Sequence, residues 1–156
     1  MQIFSDDLIE EYVDWQKANP NNFTWWSYVN MKADIKTALA FSKFFYAELM
    51  EIDGYILLKD NFDFDRYLGW KKFCKNDKNS IERVMNTYEV RDFFHINTDY
   101  DDDNIEEQIE ALGEMLKFFW SLSFKQQFPN RNIVVELYED EVLCITVFEN
   151  VVEDTN

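Results

Sequence analysis

Seven carboxylates fall within twelve residues of this chain: Asp99, Asp101, Asp102, Asp103, Glu106, Glu107 and Glu110. Side chains of this type at this density do one of three things. They hold a hard cation through oxygen ligands. They present a negative field to a basic partner. Or they cap and precede a helix N-terminus, where anions meet the positive end of the dipole.

The spacing bears on the first possibility. Counting Asp99 as position one, acidic oxygens occupy positions one, three, five and twelve, the last being Glu110. Over these twelve residues the segment resembles the calcium-binding loop of helix–loop–helix proteins. It departs from that pattern at position six, where Asn104 replaces the glycine of the sharp turn, and at position eight, where Glu106 replaces an apolar residue. The departures favour the cap reading, and no metal or other cofactor is expected.

Other chemistry is thinly supplied. His95 is the sole histidine, and Cys74 and Cys144 are far apart, so no zinc spacing exists. A nucleophilic triad would have to use His95, and nothing near either cysteine recommends one. Gly54, Gly69 and Gly113 form no phosphate-cradling loop. Asp60, Asp63 and Asp65 alternate with Phe62 and Phe64, as in a helix cap beside buried rings. No catalytic residue is assigned, and an enzyme is not expected.

Net charge supplies the stronger argument. The 156 residues carry a formal charge of −16. Residues 92–156 hold 16 acidic side chains against Lys117, Lys125 and Arg131, a net of −13. Residues 1–91 are nearly balanced, with 15 acidic and 12 basic, a net of −3. Such a field disfavours nucleic acid and anionic membrane surfaces and favours a basic protein partner. An aromatic content of 18% separates the chain from acidic disordered proteins. The one basic stretch, Arg66, Lys71, Lys72, Lys75, Lys78 and Arg83, reads as a solvated helix face or as a match for the acidic half. The opening residues lack a basic start and an apolar segment, and two cysteines make no secreted framework, so a cytoplasmic location with reduced thiols is expected.

The elements that must position these side chains follow from periodicity. Helical spacing predicts helices over about 7–18, 31–49 and 64–75, and a fourth from Ser80 with Ile81, Val84, Met85 and Tyr88 facing inward. Residues 21–30 read as a loop carrying Trp25 and Trp26, one tryptophan plugging the core and the other free to anchor a partner. The most secure helix spans about 105–126, its apolar stripe formed by Ile105, Ile109, Leu112, Leu116, Phe119 and Ser123. Period-two alternation over 133–138 and 142–148 predicts an antiparallel hairpin with a loop of three to five residues. The 55–58 run is a candidate third strand for it, and residues 153–156 read as a frayed tail. The fold class is α+β: a mostly helical single domain of about five helices, with the hairpin packed on the long helix.

The functional expectation is an acidic protein-binding module of the immunity-protein or nucleic-acid-mimic kind. Asp99, Asp101, Asp102, Asp103, Glu106, Glu107 and Glu110 would meet a basic partner, and Trp25 or Trp26 would anchor it. The alternatives are an accessory domain whose charge only keeps it in solution, and a small-ligand or enzymatic domain built on a pocket near His95.

Overall fold

The computed structural model describes residues 3–151, so the tail lies outside the described residues. The fold is α+β, with six α-helices and two antiparallel sheets. After a 3-10 turn at Asp6–Leu8 come α1 (Glu10–Ala18), α2 (Trp25–Lys32) and α3 (Ile35–Phe45). The strands β1 (Leu49–Ile52) and β2 (Tyr55–Leu58) pair through Asp53 and Gly54, both at positive φ, where Gly54 meets no steric penalty. Next are α4 (Phe64–Phe73), α5 (Lys78–Met85), the two-residue β3 (Tyr88–Glu89) and a 3-10 turn at Val90–Asp92. The chain ends in α6 (Ile105–Gln127), β4 (Ile133–Asp140) and β5 (Val142–Glu149).

Several expectations are corrected. The 21–30 segment is not a loop throughout. Thr24 has the extended backbone of an N-cap and its N–H donates to Ser27 Oγ at 3.4 Å, which starts α2 at Trp25. The predicted 31–49 helix is interrupted at Ala33 and Asp34, where Asp34 accepts from Thr37 N at 2.8 Å and caps α3. That helix stops at Phe45, and the apolar residues after it become β1. The fourth helix starts earlier than Ser80, because Asp77 is its cap and accepts from Ser80 N at 2.8 Å.

The hairpin of β4 and β5 packs on α6, with Val135, Ile145 and Val147 against Leu116, Trp120 and Phe124. Each such side chain contributes roughly 1.5–3 kcal/mol on burial. The buried stripe of α6 runs Ile109, Gly113, Leu116, Trp120, Phe124. Trp120 thus takes the place expected of Phe119, which is 40% exposed. A 3.5-residue stripe drifts off a helix of 3.6 residues per turn by about 20° per heptad, so Phe119, two heptads after Ile105, falls about 40° to one side, at the rim of the buried face, while Ser123 stays buried. The β4–β5 connection is tighter than expected. Pairing continues to Asp140 and Val142, leaving Glu141 at the tip in the left-handed region.

The third strand of the hairpin sheet is β3, paired through Tyr88 with Ile145 and Glu89 with Cys144; it is not the 55–58 run. Instead, the side chains of Glu82 on α5 and of Asn86, the residue that ends it, bridge β2 and β5. Glu82 accepts from Ile56 N and from Glu149 N, both at 2.7 Å. Asn86 accepts from Leu58 N at 2.7 Å and donates to the carbonyls of Ile56 and Val147, both at 2.8 Å. An i, i+4 pair therefore satisfies backbone groups of β2 and of the stretch of β5 beyond its pairing with β3, two strands that are not hydrogen-bonded to each other. Both side chains are fully buried. Burial pushes the Glu82 carboxyl above the usual carboxylate range, against the two N–H donors and Lys78, whose ammonium lies 3.4 Å away.

Candidate acidic site at the hairpin tip

The seven candidate carboxylates all belong to the N-terminal end of α6 and the loop before it. Asp99, Asp101, Asp103, Glu106, Glu107 and Glu110 are exposed and Asp102 is half-buried. The loop is held by its own side chains. Asp99 accepts from Asp101 N at 3.0 Å, and Asp102 accepts from Asn104 N at 2.8 Å and from Gln108 Nε2 at 3.2 Å. Tyr100 fixes the loop by donating its hydroxyl to Arg91 O at 2.7 Å. Asp102 thus does the local work of a helix start, while its neighbours point their charge outward. Among the described residues no three His, Cys, Asp or Glu side chains converge as a set of metal ligands.

What the fold adds is a second source of anions. Glu106 and Glu110 line a concavity of about 250 Å³ with Glu139 and Glu141 from the hairpin tip, Ile109, Val142, Leu143 and a single cation, Arg91. Arg91 pairs with Glu106 at 3.4 Å. Among the described residues the other three carboxylates of this concavity make no ion pair. Gly113 permits the arrangement. A Cβ there would lie 3.1 Å from Leu143 Cδ2 and 3.3 Å from Leu137 Cδ2, so a larger residue would make these leucine side chains shift.

The negative field reaches further along the sheet. The Cys144 thiol is pushed up chiefly by burial, and then by the charges of Glu89, Asp140 and Asp92. Glu107 lies one residue, about 100° around the helix, from Glu106 and does not line the concavity. Sequence reasoning therefore found Glu106 and Glu110 but missed Glu139, Glu141 and Arg91. The acidic run at residues 139–141 was visible; its location beside α6 depends on packing, for which Gly113 was the available clue.

Elsewhere Lys78 and Arg83 of the basic stretch answer Glu149 and Glu136 of the acidic half. Glu149 is gripped by Arg131 at 2.6 Å and Lys78 at 2.7 Å, and Arg131 chiefly, then Lys78, hold its carboxyl down at about 2. Glu136 pairs with Arg83 at 2.9 Å, and the Arg83 guanidinium stacks 3.7 Å from the Phe148 ring centroid. Lys71 pairs with Asp53 at 2.8 Å.

The two tryptophans separate. Trp25 stacks on Tyr12 at 3.7 Å between centroids and donates its indole N–H to Asp6 at 3.0 Å. It belongs to a cluster with Phe4, Tyr12 and Tyr28. Trp26 is 79% exposed. Neither lines the acidic concavity. His95 is exposed, with Nδ1 2.9 Å from Asp92 O, beside an open, mostly aromatic hollow in which Asp92 is the one carboxylate residue. Cys74 and Cys144 are free thiols. Among the described residues no helix is long and apolar enough to cross a membrane.

Set against protein-family models, curated proteins and solved structures, the chain matches none.

Proposed function

We propose that this chain is a protein-binding module whose acidic end neutralises a basic partner, as an immunity-type inhibitor neutralises an enzyme that acts on nucleic acid. One observation carries the reading. Carboxylates from two distant segments, Glu106 and Glu110 on α6 and Glu139 and Glu141 at the hairpin tip, converge on one concavity with Arg91 as its one cation. Asp99, Asp101 and Asp103 extend the field along the adjoining loop. Anions held in an array of this kind occupy the role of phosphates toward the Lys and Arg of a nucleic-acid site, and they steer the encounter. A surface charged only for solubility would spread and intersperse its signs. Here the cations sit mainly on the other side of the ledger, pairing Glu149, Glu136 and Asp53.

The test is recovery of bound proteins from the native cell at low salt, followed by rate measurements on the purified pair. A basic protein should be recovered, and association should slow steeply as salt screens the field. Reversal of Glu110, Glu139 and Glu141 to Lys should slow it at least tenfold at low salt. Recovery of an acidic or neutral protein whose association ignores salt would contradict the proposal.

A further inference from the structure

Beside the acidic concavity, across the 3-10 turn that follows β3, lies a second feature of different chemistry. Arg91 faces the concavity, and the next residue, Asp92, lines a narrow slot of about 120 Å³. The slot's floor is apolar core: Ala47, Leu58, Phe93 and Trp120, with Phe44 on its wall. Trp120 is locked there by its indole N–H, which donates to Phe44 O at 2.6 Å. The charged residues around it are Lys43, Glu48, Asp60 and Asp92. Glu48 is occupied by Lys59 at 3.0 Å and Lys43 at 3.6 Å. Asp60 and Asp92 make no ion pair among the described residues, and both are exposed. The half-buried Tyr88 completes the lining, and its hydroxyl makes no side-chain hydrogen bond among the described residues. Burial, and then the Asp60 charge, push that phenol up, with the Arg66 charge acting against them.

An apolar channel with aromatic walls and three carboxylates, Glu48, Asp60 and Asp92, against Lys43 as the cation in its lining, suits a cationic head on an unbranched aliphatic stem. The stem replaces water on the apolar floor, the walls favour a cation near their rings, and the carboxylates and phenol receive the N–H donors. The volume admits several waters, and so a side chain of that width. We propose that this slot receives a lysine or arginine side chain of the basic protein partner and anchors it beside the acidic field. The inference rests on the reading above and adds the desolvated contact that a surface of exposed charges lacks.

A fragment titration tests it without the partner. The indole N–H resonance of Trp120 in a ¹⁵N correlation spectrum reports the slot. Nα-acetyl-lysine N-methylamide should move it in a saturable way, and the norleucine analogue, which keeps the four-carbon stem but lacks the ammonium group, should bind at least tenfold more weakly. The double variant Asp60→Asn, Asp92→Asn should reduce the lysine derivative to the norleucine level. Equal binding of the two derivatives, or no movement of the Trp120 resonance up to tens of millimolar, would overturn the slot assignment. Putrescine bound at least tenfold more tightly than the lysine derivative would also overturn it, in favour of a free diamine. The Glu110, Glu139 and Glu141 reversals leave the slot intact and should not change fragment binding. Failure of the anchor is thereby separable from failure of the acidic field, which association rates report.

Discussion

Glu82 on α5 and Glu110 on α6 are the same residue on helices of one fold, and they serve opposite ends. Glu82 is wholly buried, and its two oxygens receive two backbone N–H groups from separate sheet edges. Glu110 is exposed beside Glu106, Glu139 and Glu141 with nothing but Arg91 to offset the group. The first carboxylate is bought by structure: its removal would strand donors in the interior. The second is unneeded for folding and works against it, since four like charges around one cavity repel. A carboxylate that costs stability and makes no structural bond is where function is expected to reside, whereas a buried, satisfied one accounts for itself.

This contrast is open to direct attack, beginning with the largest effect. Asn86→Ala should lower stability by about 3 kcal/mol or more, because Leu58 N and the carbonyls of Ile56 and Val147 lose their partners together. Glu82→Ala should cost a similar amount, about 3 kcal/mol, because the N–H groups of Ile56 and Glu149 are left without their acceptor. Denaturant melts check both, and a loss under about 1 kcal/mol would remove the bridging role.

The aromatic pair comes next. Trp25→Ala should cost roughly 3 kcal/mol, since it empties the stack on Tyr12 and frees Asp6. Trp26→Ala should stay within about 0.5 kcal/mol, as an exposed site does. Reversing Glu110, Glu139 and Glu141 to Lys should leave stability unchanged or raise it by several tenths of a kcal/mol at low salt, an increment that added salt removes.

The smallest effect is in the pH profile. Glu149 is held down at about 2, below its unfolded value, so its contribution is complete above the usual carboxylate range and is lost as pH falls toward 2. Glu82 is raised, so its contribution has the opposite sign. It is present below the unfolded pKa and fades as pH rises through the folded one. The acid limb of a stability curve should therefore flatten in Glu149→Gln and steepen in Glu82→Gln.

The legible parts of the fold were those set by local pattern. The α6 helix and the β4–β5 hairpin follow from apolar spacing of three to four and of two, and the structure places them against each other. Asp53-Gly54 is a turn signal, but the strands on either side of it are not legible as a pair, because Leu49 ends a run with helical spacing and Glu51 is polar. What stayed hidden was long-range. Nothing local says that Glu82 and Asn86 face inward: in sequence they are polar residues that follow Ile81 and Met85. The α2 start depended on a Thr24–Ser27 cap that a search for acidic or glutamine partners passes over. The acidic site was half legible for the same reason. Asp99–Glu110 is one contiguous segment, whereas Glu139 and Glu141 join it only through a close approach at Gly113.

The central claim is that position, and not net charge, makes the acidic end functional. The direct measurement compares two triple reversals of equal charge in association with the basic protein recovered at low salt. One variant carries Glu110→Lys, Glu139→Lys and Glu141→Lys. The other carries Asp14→Lys, Asp63→Lys and Asp65→Lys, all exposed and none lining the concavity. The account predicts an association rate lowered at least tenfold by the first set and about twofold by the second. Equal losses from the two sets would contradict it.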